Sequence, residues 1–255
     1  MPDSTGVPAS EPEAAVSGNF FSRLMGVYGS PGKTFKEIGR DPRPLVPVIA
    51  LVVFGLIQGF FMMRFIDFES LPQGMGPQGP MPPEQAQAAA GFIKGMMVVS
   101  TGVGTLLVAL IIAALFLLAS KVMSVDNTFK AVFTVTVYVL LAIAIVQFVI
   151  LALVFALKGG QRLTPQNMGS FLRSSLGAIL AGLLGDNALP GFLMRLLNYV
   201  EFFAIWTIAL LAIGYAAVSR KLAISTAAIL LAVAYAVFAI IAAAIGPMGG
   251  GPAAG

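Results

Sequence analysis

VEFFAIWTIALLAIGYAAVSRK, residues 200–221, decides the fold: Phe202 to Ser219 is a run of eighteen residues without a charge, closed by Glu201 on one side and Arg220-Lys221 on the other. At ~1.5 Å rise per residue, that run makes roughly 27 Å of helix, close to the ~30 Å of hydrocarbon that a membrane span must cross. The composition removes the alternative of a buried helix in a water-soluble core. Of 255 residues, 58% are hydrophobic and 10% charged, whereas an ordinary globular domain is about half apolar and about a quarter charged. So few charges cannot cover a water-soluble domain of this size.

Four more runs read the same way: 45–63, 95–120, 131–157 and 222–245, each uncharged and 19 residues or longer. They are rich in Leu, Ile, Val, Phe and Ala on every side, as suits helices among lipid and other helices. They lack the strict alternation of barrel strands. The expected fold is therefore all-α, a polytopic membrane helix bundle with five transmembrane helices at about 45–63, 95–120, 131–157, 202–219 and 222–245.

Basic residues set the orientation. Arg23, Lys33, Lys36, Arg40, Arg43, Lys121, Lys130, Arg220 and Lys221 make nine on one side; Arg64, Lys94, Lys158, Arg162, Arg173 and Arg195 make six on the other, spread over loops of 31 and 44 residues. The denser side is expected to be cytoplasmic, which places the N-terminus inside. Residues 1–18 are polar, acidic and proline-bearing, without the basic start and apolar stretch of a secretory signal; they and residues 246–255 read as disordered tails around a membrane domain over 19–245. The chain has no cysteine and no histidine, so disulfides, thiolate metal sites, and cysteine- and histidine-dependent catalysis are excluded. A pI near 9.5 comes with a net charge of only +4, and the cations cluster at span ends. Membrane topology accounts for them without a nucleic-acid partner.

Two connecting regions read as short amphipathic helices. Before the first span, Phe20, Phe21, Leu24, Met25 and Tyr28 recur at helical spacing around Arg23; Ser30 can cap a following helix with Pro31 in its first turn, and Gly39 can end it before Asp41-Pro42. Phe21, Arg23, Tyr28, Lys33, Phe35 and Lys36 are the candidate surface for a protein partner or for lipid, the other reading being topogenic charge. In the third loop, a stripe of Phe171, Leu172, Leu176, Ile179, Leu180, Leu183 and Leu184 precedes a second stretch with Phe192, Leu193, Leu196 and Leu197; it is expected to lie in the outer interface or to re-enter the membrane. The loop from Arg64 to Lys94 reads as a flexible Pro-, Gly- and Gln-bearing linker. Its Met75 and Met81 are weak support for a copper site.

Within the spans no residue is titratable as an acid or base in the usual range, which argues against proton relays and ion coupling. Gln58, Tyr138, Gln147 and Trp206 are the candidate intramembrane polar contacts. Each buried amide needs a partner; an interhelical hydrogen bond or a solute would supply one, and the Trp206 indole N–H needs one as well. Glu201 has Arg195 as a possible ion partner. Gly55 with Gly59, Gly91 with Gly95, and Ser100 with Gly104 have the spacing that lets helices approach closely, within one chain or between copies in a homo- or hetero-oligomer. No catalytic, cofactor or metal site is expected.

LLNYVEFFAIWTIALLAIGYAAVSRKLAISTA, 196–227, with its acidic residue, Ile-Trp, Leu-Leu-x-Ile-Gly and tight basic turn, resembles the last two spans of bacterial members of the Yip family, the Ypt/Rab-interacting membrane proteins. Pro31, Phe35, Ile38 and the proline-rich approach to the first span are similar too, so the resemblance covers roughly Phe21 to Ile245. It implies five spans, a cytoplasmic N-terminus, and location in a bacterial cytoplasmic membrane. Eukaryotic relatives act in membrane traffic and bind small GTPases; their Asp-Leu-Tyr-Gly-Pro motif has its nearest match in Val27-Tyr28-Gly29-Ser30-Pro31, without the Asp-Leu pair. The functional expectation is a non-enzymatic scaffold or adaptor contacting membrane lipids, with a permease or channel for a neutral or lipidic solute as the alternative. An odd number of crossings separates the ends: a reporter fused before residue 19 should work only inside the cell and one fused after residue 245 only outside, and recovery of both in one compartment defeats the count.

Overall fold

The computed structural model describes residues 18–65, 75–76, 79–80, 83–157, 175–185 and 189–245. The expected tails lie outside the described residues except for Gly18. Among the described residues the architecture is helical, apart from an antiparallel ladder of two residues per strand, Met75–Gly76 with Gly79–Pro80, and an isolated bridge between Ser175 and Glu201. In chain order the helices are α1 (Phe20–Gly29), α2 (Pro31–Arg40), α3 (Leu45–Met63), α4 (Pro83–Val99), α5 (Thr105–Val122), α6 (Phe129–Leu157), α7 (Leu176–Leu184), α8 (Gly191–Asn198), α9 (Phe202–Val218) and α10 (Ile224–Ile245). Among the described residues four helical stretches are long and apolar enough to cross a membrane, Leu45–Met63, Gly91–Val122, Phe129–Leu157 and Ile224–Ile245; α9 is a shorter apolar helix, of 17 residues. Large apolar side chains cover the outside, Val122 at 81% exposure and Leu157 at 78% among them. In water this surface would be prohibitive, and in hydrocarbon it is the natural exterior. The chain is a multi-pass membrane protein.

Span two begins earlier than the apolar run suggests. α4 starts at Pro83, because the stretch expected to be a linker ends in Glu84-Gln-Ala-Gln-Ala-Ala-Ala, residues with high helix propensity and little hydrophobicity. A π-helical turn, Ser100–Gly104, joins α4 to α5. Its hydroxyls bond backward along the helix, Thr101 Oγ1 to Met97 O at 2.8 Å and Thr105 Oγ1 to Thr101 O at 2.6 Å, which relieves the carbonyls that the wider turn frees.

That turn is where α3 docks. A Cβ at Gly55 would come within 2.6 Å of Gly102 Cα and 2.8 Å of Thr101 O, and one at Gly59 within 2.9 Å of Val98 Cα. The two backbones therefore touch, as small residues permit. Gly91, Gly95 and Gly104, which the spacing also marked, have nothing within 4 Å of a Cβ among the described residues. Gly55 meets Gly102, which belongs to none of the three expected pairs, and Gly59 meets Val98.

α6 is the central helix. Val132, Val135, Val137, Val139 and Ala142 are wholly buried, because α3, α5, α9 and the α1–α2 pair all pack on it. Phe54 and Phe61 meet Phe148 at 5.5 and 5.0 Å, and Phe65 stacks on Phe155 at 3.9 Å, so α3 and α6 run in parallel. The offset places the start of α3 about ten residues, roughly 15 Å, along α6. The first turns of α6 thus extend beyond the point where α3 enters the bundle. There they are covered by α2, α9 and α5: Tyr215 of α9 bonds Thr136 at 2.7 Å and packs on Phe116 of α5 at 3.9 Å. At the same end Asn127 Nδ2 bridges Ser120 Oγ and Ser219 Oγ at 2.9 and 3.1 Å, tying the α5–α6 loop to the α9–α10 turn.

At the opposite end α7 and α8 form a helical pair. Ser175 caps α7 by accepting from Ala178 N, its Oγ bonds Asn198 Oδ1 at 3.0 Å, and Leu176 N donates to Val200 O at 2.8 Å. Arg195, read as a partner for Glu201, donates instead through Nε to Ala243 O at 3.0 Å, satisfying a carbonyl near the end of α10. Phe171 and Leu172 lie outside the described residues, and Leu183 and Leu184 point outward. Replacing Gly55 or Gly102 with leucine should lower thermal stability in detergent by about 1–3 kcal/mol through overpacking, whereas Gly91→Leu should leave the melting temperature unchanged; equal effects at both places would refute the docking described.

Candidate functional site

The N-terminal helices form a hairpin whose two halves meet at Ser30. Asn19 starts α1 by accepting from Ser22 N at 2.9 Å, and Pro31 occupies the first turn of α2. Gly26 lies directly against the Thr34 side chain, so no larger residue fits between the helices. Leu24 and Val27 of α1 and Phe35 and Ile38 of α2 are buried. Phe35 rests on Gly214 of α9, which also faces Val135 of α6, and Gly39 lies against Val218. The pair is thus packed into the bundle between α6 and α9 rather than laid on its surface.

Its polar centre is Arg23, 3% exposed. Nε donates to Glu37 Oε1 at 3.1 Å and Nη1 to Asp41 O at 3.0 Å. Nη2 is buried without a hydrogen-bond partner among the described residues and lies 3.9 Å from Asp41 Oδ2. Glu37 Oε1 also accepts from Gly18 N at 2.7 Å, and Asp41 Oδ2 receives Arg43 Nη2 at 2.7 Å. Tyr138 closes the site from α6, its ring 5.9 Å from that of Phe20. Charge-assisted bonds of this kind hold α1, α2 and the approach to α3 in one arrangement.

The second anchor is Tyr28, whose hydroxyl donates to Ala142 O in α6 at 2.7 Å and whose ring lies 6.4 Å from that of Trp206. Burial raises its pKa above the ordinary 10.0, since the phenolate would lose solvation. The hydroxyl therefore keeps its proton, and its donor role, throughout the neutral range.

Of the residues singled out from the sequence as a partner or lipid surface, Phe21, Lys33 and Lys36 are exposed and Tyr28 is half-buried. Arg23 and Phe35 are buried and present nothing to a partner; the helical spacing placed them correctly on a helix but could not show that α6 and α9 cover that face. Tyr138 is buried beside the hairpin. Gln58 and Gln147 are half-buried on α3 and α6, close to the Phe54–Phe148–Phe61 contact. Neither amide makes the interhelical hydrogen bond expected of it among the described residues, and the Trp206 indole likewise finds no acceptor there. Glu37 and Asp41 are the residues that sequence reasoning missed; two carboxylates in an otherwise basic stretch were the available signal. Met75 and Met81 have side chains outside the described residues, and no group of three or more potential metal ligands among His, Cys, Asp and Glu occurs among the described ones.

Residues 25–241 match the Yip1 domain, from within α1 to the last turns of α10. The chain belongs to the Yip1 domain family. No curated protein and no solved structure matches it. The Yip1 domain match takes in Tyr28, Glu37, Asp41 and all of α2 to α9, while Phe21 and Arg23 precede it.

Tyr28→Phe should cost about 1 kcal/mol of stability, the worth of one hydrogen bond. The cost should be the same at pH 6 and pH 9, because the raised pKa confines its loss to more alkaline solution. Arg23→Ala should cost more, about 2 kcal/mol, though less than a fully buried pair because Glu37 keeps about a third of its side chain exposed. Melting in detergent at the two pH values checks both.

Proposed function

We propose that this Yip1 domain protein is a non-enzymatic scaffold or adaptor of a bacterial cytoplasmic membrane, with its N-terminus inside, all five apolar helices crossing, and a protein partner recruited through the outer face of α1. One observation carries the reading. Phe21 and Met25 are 70% and 60% exposed on a helix whose opposite face is anchored by Arg23, Leu24 and Val27. A rigid helix presenting two large apolar side chains is what a partner helix or groove can grip. The absence of acids and bases within the apolar runs supports a role in holding other molecules rather than in proton-driven chemistry.

A second reading, passage of a neutral or lipidic solute, is favoured by Gln58 and Gln147, whose amides have no hydrogen-bond partner among the described residues. Polar groups left open in a span are candidates for contact with a transported molecule. The two readings separate experimentally. A photocrosslinking amino acid at position 21 or 25, in native membranes, should capture a discrete protein that the same probe at Ile111 on α5 does not, and Phe21→Ser with Met25→Ser should abolish its co-purification. Equal capture at all three positions removes the adaptor reading; solute flux in proteoliposomes that Gln147→Leu abolishes would install the other.

A further inference from the structure

α2 carries its cations as a stripe. Lys33, Lys36 and Arg40 recur at i, i+3 and i+7, all exposed, while Thr34, Phe35 and Ile38 of the same helix are buried. On an isolated helix Glu37 would neutralise much of this stripe, since it stands four residues after Lys33 and three before Arg40, the spacings at which opposite charges pair. It does not do so here. Its Oε1 is bound to Arg23 Nε and to Gly18 N, and the neighbouring Asp41 is held by Arg43 and faces Arg23. Two carboxylates are thus matched by two arginines, and Lys33, Lys36 and Arg40 have no carboxylate partner among the described residues. The buried Arg23 is what draws Glu37 away from the stripe.

The position of the stripe names its counter-charge. Four residues after α2 the chain enters α3, whose Leu45 and Val46 are already apolar and exposed at 70% and 52%. The basic face therefore stands close in the chain to the point where the first span meets lipid. Cations held there face the phosphates of the leaflet, where each basic residue gains a comparable increment from anionic headgroups. We infer that the Lys33–Lys36–Arg40 face of α2 binds the headgroup of an anionic phospholipid, and that Arg23 enables this by withdrawing Glu37 from the stripe. This goes beyond the adaptor reading and uses a different helix face from the one assigned to a protein partner.

The test uses the purified full-length chain in detergent, titrated with phosphatidylglycerol or with phosphatidylcholine and read by native mass spectrometry. The wild type should retain phosphatidylglycerol in preference. Each of K33Q, K36Q and R40Q should weaken phosphatidylglycerol retention about fivefold, and the triple variant should bind the two lipids equally; these side chains are exposed, so folding is not at issue. R23Q keeps all three cations yet should also weaken retention about fivefold, because Glu37 returns to Lys33 and Arg40, and a melting curve taken alongside separates this from unfolding. An unchanged lipid preference in the triple variant overturns the site. A folded R23Q with wild-type preference overturns the role given to Arg23.

Discussion

Hydrocarbon offers a polar group nothing to bond to, and most of this bundle follows from that constraint. Within the apolar helices the hydroxyls turn back onto their own chain: Thr134, Thr136 and Thr207 each donate to the carbonyl four residues earlier. The tyrosines reach across instead. Tyr28 bonds Ala142 O, Tyr215 bonds Thr136 and Tyr235 bonds Tyr199 O. Each ties its helix to a neighbouring element, so the same requirement that removes free donors also helps fix which helices are neighbours. Gln58, Gln147 and Trp206 stand out because they do not comply.

The hairpin applies this rule to charge. An arginine almost wholly removed from solvent is tolerable only with acceptors around it, and Glu37 and Asp41 supply them from α2 and from the approach to α3. The arrangement has a mechanical result, since three consecutive segments become one body clamped on α6 and α9. It also has an electrostatic result on the other side of α2, where Lys33, Lys36 and Arg40 have no carboxylate partner among the described residues. One buried group thereby shapes both the packing of the N-terminal region and the surface it offers to its surroundings.

Close backbone approach is the other organising feature. Gly55 and Gly59 let α3 touch span two at its π-helical turn, and Gly214 and Gly39 let α2 lie flat against α9. Since lipid gives no hydrophobic force between helices, such contacts and the hydrogen bonds above hold the bundle together. The short α9 fits this scheme: it packs on α2, α6 and α10 along its 17 residues, so its neighbours, rather than the lipid, cover most of its length.

Membership in an all-helical, multi-pass class was legible from charge-free runs such as Phe202–Ser219, because the thickness of the hydrocarbon dictates both the length and the composition of a span. The Ile-Trp and Leu-Leu-x-Ile-Gly signature pointed to the family, and the Ser30-Pro31 boundary to two helices before the first span, because caps and prolines act locally. Local signals could not reveal that Arg23 and Phe35 face inward, that Glu37 lies in an ion cluster fourteen residues from its partner, or that Gly102, rather than Gly91 or Gly95, meets Gly55. Those outcomes depend on which helices become neighbours and on the rotation of each about its axis. Only the assembled bundle, by matching small residues to close contacts and polar groups to acceptors, decides them.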